Sequence, residues 1–270
     1  MKYLVTNADD FGFTPDVNEG IIEAHCNGIL TATTLMANGD AFDDAVRLAR
    51  ENPTLDVGCH LVLIGGHSLT NPKRMLPTST SELTRQVFAG RIEIYDELEA
   101  QVRKILAAGI SPTHLDTHKH THLLPSVFRA VCGIAENFRI KWVRRPIDFD
   151  GPPVGEWKQR WMGKVIRRAA ANLGPSLRHG GLKHTDHFWG FSVTGKLDEA
   201  ALSAMMAYVP EGSTELMVHP GRLRAELAVA PTRLKQSREL ELKALVSPAV
   251  REAVSAAGIQ LVNYRQLNEL

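Results

Sequence analysis

Short apolar runs rich in β-branched residues alternate along the chain with longer stretches whose apolar residues recur at helical spacing. That alternation predicts βα units around a mostly parallel sheet. Residues 3–8 read as a first buried strand. Thr14 as N-cap and Pro15 in first position then open a helix, which Asn27-Gly28 stops. A second strand covers Leu30–Met36, a helix over Asp40–Asn52 ends at Pro53, and a third strand covers Leu55–Val62. Residues 65–82, rich in Gly, Ser, Thr and Pro, are too long for a tight turn and have the character of a substrate-binding loop. An amphipathic helix over Glu93–Ala108, a strand over His114–His118, a helix from about Pro125 and a strand over Ile140–Arg144 follow. Residues 147–181 read as an insertion. Helix Leu197–Tyr208, strand Thr214–Val218, helix Leu234–Leu245 and a last strand Gln260–Asn263 complete the pattern. No repeat, low-complexity tract or linker interrupts it, so a single domain over residues 1–270 is expected.

Composition narrows the classes. A chain of 270 residues fits one α/β barrel, and 44% apolar with 23% charged residues is ordinary for a globular protein. The formal net charge of +1 argues against a nucleic-acid partner. Cys26, Cys59 and Cys132 show no C-x-x-C spacing, which fits a reduced compartment. The first residues lack the apolar stretch of a signal peptide, and no run approaches the roughly 18 apolar residues of a membrane span. A cytoplasmic location is expected; the number of copies is not legible.

The candidate chemistry sits at predicted strand ends. Asp9 and Asp10 follow the first strand, His60 lies on the third, His118 closes the fourth, and His219 follows Thr214–Val218. In a barrel these ends share one rim, so residues far apart in sequence converge. Adjacent carboxylates repel, so the pair implies a metal, a shared proton or divided roles. Two imidazoles with one carboxylate form a common divalent-metal set with positions left for water and substrate. The run from Thr113 to His122 carries four histidines, and strand alternation would turn His114, Asp116 and His118 to one face. Taken singly these features have plainer readings: the acid pair as a helix cap, His60 as a core histidine, His219-Pro220-Gly221 as a shaped loop.

Five segments together resemble the YdjC-like carbohydrate deacetylases, a family that includes chitooligosaccharide deacetylases and hopanoid-biosynthesis deacetylases. They are Asn7–Gly12, Gly28–Thr34, Val57–Leu61, Thr113–His118 and Glu215–Gly221, in the family's order and spanning nearly the whole chain. The resemblance implies a distorted TIM-like (β/α) barrel and metal-dependent removal of an acetyl group from an N-acetylglucosamine-type sugar. It further implies Asp9 as base, Asp10, His60 and His118 as metal ligands, and a protonated His219 as general acid. The residue pattern by itself leaves open which of the two acids is the base. Asp116 or His120 would suit orientation of a ligand imidazole, and Arg144, Asp186 and His187 are further candidates for the pocket. Zinc fits the two imidazoles and one carboxylate best, with Mn, Co, Ni and Fe also suited and Mg an unusual choice. Competing readings are another metal-dependent barrel enzyme, such as a sugar isomerase or phosphoesterase, and a non-catalytic sugar-binding barrel. No G-x-x-x-x-G-K-[ST] loop supports phosphate chemistry.

Within the insertion, helical spacing places Trp157 and Trp161 on one stripe and basic residues around the rest. Such a helix either packs its tryptophans on the barrel or makes peripheral membrane contact, admitting a lipid-linked aminosugar such as acetylglucosaminyl hopanoid.

Overall fold

The first strand is the axis around which the rest of the sheet assembles. In the computed structural model, which describes residues 1–148, 175–177 and 180–270, β1 (Lys2–Phe11) pairs along its length with β7 (Gly212–Val218). Its other edge is shared by β8 (Ile259–Leu261) at the start and β2 (Ala32–Leu35) at the end. The order continues outward through β3 (Asp56–Leu61), β4 (His114–Thr117) and β5 (Trp142–Val143) on one side, and β6 (His187–Trp189) beyond β7 on the other. Each strand pairing is parallel. Single bridges, Trp142 to Lys183 and Asp148 to Phe188, join the two outer edges. The result is the expected distorted barrel, with its closure reduced to two bridges. Most of the 147–181 insertion, including Trp157 and Trp161, lies outside the described residues.

Helices α1 (Pro15–Asn27), α2 (Phe42–Glu51), α3 (Thr80–Phe88), α4 (Ile94–Ala107) and α5 (Pro125–Asn137) connect the first half. The second half carries α6 (Glu199–Met206), α7 (Ala225–Val229), α8 (Gln236–Leu245), α9 (Pro248–Ala256) and α10 (Tyr264–Leu267). Thr14 caps α1 as expected, its hydroxyl accepting from the Val17 N–H at 3.2 Å. Gly28 is required by packing, because a Cβ there would lie 2.5 Å from the Leu245 carbonyl oxygen. The 65–82 excursion is tied down: the buried Glu97 carboxylate on α4 accepts from Ser68, Leu69 and Thr70. The sequence pattern predicts no helix at α3, α7, α9 or α10 and no strand at β6. These pieces are short, and a span of three to nine residues carries too few apolar repeats to declare a period.

Outward residues such as Leu4, Ala8, Cys59, Leu115, Leu216 and Val218 bury against the helices. Inward residues change character along the barrel axis. Val5, Ala32, Trp142, Val262, Tyr264 and Leu267 form an apolar plug near the strand starts. Above it, His114 stacks on Tyr264 with ring centroids 3.9 Å apart and meets the Asn7 side chain through Nε2 at 2.9 Å. Gly58 makes room for that imidazole, since a Cβ would come within 2.7 Å of its Nδ1. The next layer up is charged.

Candidate active site

Alternation along β1 turns Val5, Asn7 and Asp9 inward, and a regular strand would turn Asp10 the other way. A bulge prevents this. Ala8 pairs with Thr33 and Phe11 with Leu35, so β1 spends one more residue than β2 over the same step. Asp10 takes up the extra length in the left-handed region at φ 70°. Both carboxylates therefore border one cavity, of about 1080 Å³, at the carboxyl ends of the strands. Both acids, expected to follow the first strand, therefore lie within it.

Asp10 Oδ1 lies 3.4 Å from His60 Nε2 and 3.1 Å from His118 Nδ1. The two imidazole nitrogens are 3.3 Å apart. All three donor atoms fall within 4.8 Å of one another. Asp10 Oδ1 is buried yet makes no hydrogen bond of good geometry, so a carboxylate oxygen stands without a paired donor beside two imidazole nitrogens. Burial opposes charge on Asp10, but Arg238 and then His118 and His60 hold its pKa well below the ordinary value. His60 shows the complementary preference: burial would lower its pKa, and Asp116 and Asp10 instead raise it to about 10. The point between these groups favours a positive charge, and two imidazoles with one carboxylate fit a divalent cation. His118 reaches it from a 3-10 turn, His118–Leu123, rather than from the strand. Lys119 and His120 follow with φ 54° and 51°.

Beneath this point the side chains are tightly paired. Asp116 Oδ1 meets His60 Nδ1 at 2.7 Å, leaving Nε2 to face Asp10, and Asp116 Oδ2 accepts from Thr34 at 3.1 Å. Arg144 is fully buried and grips Asp9 with two N–H groups at 2.8 and 2.7 Å. It also reaches Asp116 at 2.6 Å and Glu215 at 2.6 Å. Despite burial, Arg144 and His60 drive the Asp9 pKa far below its usual value, so Asp9 is ionised and held in one orientation. The buried carboxylates Asp9, Asp10 and Asp116 and the Glu215 carboxyl, whose pKa burial raises, face the guanidiniums of Arg144 and Arg238 and the His60 imidazole, whose proton a divalent cation would replace.

His219 borders the cavity near both acids. Burial lowers its pKa to about 4, which favours the neutral imidazole. Its Nδ1 is buried without a hydrogen-bond partner. Glu241 Oε2 lies 3.9 Å from that nitrogen and accepts the His219 backbone N–H at 2.6 Å. Burial raises the Glu241 carboxyl to about 7. Arg238 and Glu241 were absent from the sequence reading. The only available signal was two charged residues falling on the buried stripe of a helix, at positions that resemble any exposed pair.

The structure brings Asp9, Asp10, His60, His118, His120 and His219 to the cavity wall. Asp116 and Arg144 stand directly behind them. Asp186 and His187 are corrected away from the pocket. Asp186 accepts from the Ser213 N–H and hydroxyl, and His187 meets the Glu211 carbonyl, all at the amino end of β7 and opposite the rim that carries His219. His114 faces inward but meets Asn7 and Tyr264, below the cation-holding point.

A family model described as YdjC-like protein matches residues 3–256. A carbohydrate deacetylase of Brevibacillus brevis is 34% identical over 269 residues, covering 98% of this chain and 99% of that protein. A chitooligosaccharide deacetylase of Klebsiella pneumoniae is 32% identical over 276 residues, covering 98% and 99%. Among solved structures, a proposed cellobiose-phosphate cleavage protein of Enterococcus faecalis shares the fold, with a TM-score of 0.76 over 98% of both chains at 23% identity.

Proposed function

The chain belongs to the YdjC-like family, and from that premise we propose that it is a metal-dependent carbohydrate N-deacetylase that frees acetate from an N-acetylglucosamine-type sugar. The observation that carries the proposal is the convergence of Asp10, His60 and His118 beside Asp9 and His219 on one cavity wall. A divalent cation held by those three residues would polarise the acetamide carbonyl and acidify a water. Zinc is favoured, with Mn, Co, Ni or Fe as the alternatives and Mg the poorest match to two imidazoles.

The protein's own groups then manage the protons. Arg144 holds Asp9 ionised in one orientation, and Asp9 would take a proton from the water that adds to the acetyl carbon. On the other side of the reacting carbon His219, in its protonated form, would deliver a proton to the sugar nitrogen as the C–N bond breaks, and the acetyl group leaves as acetate. His120, buried in the wall with an unpartnered Nδ1, is assigned to substrate contact, and Asp116 and Arg144 to support of His60 and Asp9.

A lipid-linked substrate is a second reading, favoured by the apolar groups at the cavity, among them Phe13, Ile64, Phe191, Pro231 and the 83% exposed Val229. Among the described residues no helix is long and apolar enough to cross a membrane, so contact would be peripheral. Acetate release from free chitooligosaccharides and from lipid-linked N-acetylglucosamine, with and without chelator, tests both readings. Turnover that vanishes on chelation and returns with Zn²⁺ is expected. Failure on every N-acetyl sugar with metal loaded would remove the deacetylase proposal, and equal turnover of free and lipid-linked sugar would remove the lipid preference.

A further inference from the structure

Helix α8 places two charged side chains, Arg238 and Glu241, one turn apart and both 1% exposed. A pair at this spacing would ordinarily bind each other on a helix surface. Here each reaches a different part of the candidate site. The Arg238 guanidinium bonds Asp10 Oδ2, so that only Oδ1 is left facing His60 and His118. Its Nε donates to the Leu234 carbonyl at 3.2 Å, and its backbone carbonyl accepts the Gly221 N–H at 3.2 Å. Glu241 accepts the His219 N–H at 2.6 Å through Oε2 and the Gly195 N–H at 3.2 Å through Oε1. The turn His219-Pro220-Gly221 is therefore gripped at both ends by this one helix. It cannot drift toward α1 either, because Gly221 already sits where a Cβ on Gly20 would lie, 2.5 Å from its Cα.

We infer that α8 is a brace joining the two halves of the site: Arg238 positions the cation-holding carboxylate, and Glu241 positions His219. Both are positioning residues, and the inference rests on the deacetylase reading for what the two halves do. The physical basis is that a carboxylate free to rotate could chelate through either oxygen, whereas one pinned at Oδ2 offers a single oxygen at a set distance from two imidazoles. Glu241 does the corresponding work on the proton-transfer side. Its Oε2 fixes the His219 backbone and lies 3.9 Å from the partnerless Nδ1, where a small approach would let it accept from the ring as charge builds there.

The test uses full-length protein stripped with chelator and titrated with Co²⁺ by calorimetry and visible absorption, beside acetate-release kinetics on the reloaded enzyme. Arg238→Met should weaken Co²⁺ binding by about tenfold or more and change the Co²⁺ absorption band, while Arg238→Lys, which restores a cation at Oδ2, should recover most of that loss. Glu241→Gln should leave Co²⁺ affinity within about twofold of wild type and lower kcat by about tenfold or more at unchanged KM. Wild-type Co²⁺ affinity and spectrum in Arg238→Met would overturn the inference, as would wild-type kcat in Glu241→Gln. So would parallel loss of both properties in both variants, which would mean general damage to α8. Wild-type protein that binds Co²⁺ but releases no acetate would count against the deacetylase reading, and the affinity ratio of Arg238→Met to wild type would still decide the Arg238 half of the brace.

Discussion

Near the strand starts Val5, Ala32, Trp142, Val262, Tyr264 and Leu267 fill the barrel with apolar side chains, and further along the barrel axis Asp9, Asp116, Arg144 and Glu215 fill it with charge. Val5 and Asp9 obey one rule on β1, inward residues every second position, and the side chains of both regions are buried. They differ in what burial does. Each large apolar side chain in the plug stabilises the fold by roughly 1.5–3 kcal/mol. Arg144 and its three carboxylates largely offset one another, since desolvation of buried ions consumes most of their mutual attraction. Stability therefore accounts for the plug and does not account for the charged layer. The charged layer has a different product, a carboxylate and an imidazole each held in one orientation beneath the cavity. The plug makes that layer feasible by supplying a stiff apolar base.

The comparison breaks first at its charged end. Asp9→Asn keeps the shape and removes the base, and acetate release should fall by about 10²–10⁴-fold with Co²⁺ affinity little changed. Undiminished turnover would show that Asp9 is not the base. Arg144→Met leaves Asp9, Asp116 and Glu215 without their shared partner and should cost about 3–5 kcal/mol in urea unfolding, together with most of the activity. Val5→Ala in the plug should cost about 2 kcal/mol and leave kcat within about threefold, since it opens a cavity far from the reacting groups. If Val5→Ala damaged kcat as badly as Arg144→Met, the two regions would not be separable.

The smallest effect is one of pH on the metal-stripped protein. His122 and His219 have pKa values of about 3 and 4, lowered chiefly by burial, so they stay neutral in the fold while the unfolded imidazoles protonate below about pH 6.5. The unfolded state then binds more protons, and stability should fall as pH drops from about 6.5 toward 4. His60 acts with the opposite sign. Its pKa is raised to about 10, so its contribution is fully present below about 6.5 and is lost as pH rises through 10. Stability of the stripped protein should peak near pH 6.5, and adding Zn²⁺ should flatten the alkaline side, where a cation replaces the His60 proton. A denaturation midpoint that does not change between pH 4.5 and 6.5 would contradict the buried neutral state of His122 and His219.

Much of this was legible in the residues. Alternation on the fourth strand put His114 and Asp116 on one inward face, and shared strand ends predicted that Asp9, Asp10, His60, His118 and His219 would lie on one rim. Those inferences succeed because side-chain direction on a strand follows from local geometry alone. Asp186 and His187 failed because local geometry does not say which end of a strand faces the cavity. Arg238 and Glu241 were missed because a charged residue on a helix reads as solvated until its neighbours are known.

The sequence by itself determined the βα alternation, the inward face that His114 and Asp116 share on the fourth strand and the donor types available at the rim, because periods of two and 3.6 residues are local. Only the tertiary structure decided that Asp9 and Asp10 share a face. A bulge against β2, with Asp10 at positive φ, turns two neighbours that should point apart into the same cavity. Only the tertiary structure divided them as well: Arg144 from β5's end takes Asp9, and Arg238 from α8 takes Asp10. Those partners come from 135 and 228 residues away. Distances of that kind are set by how the elements pack, because no local preference encodes which guanidinium a carboxylate will meet.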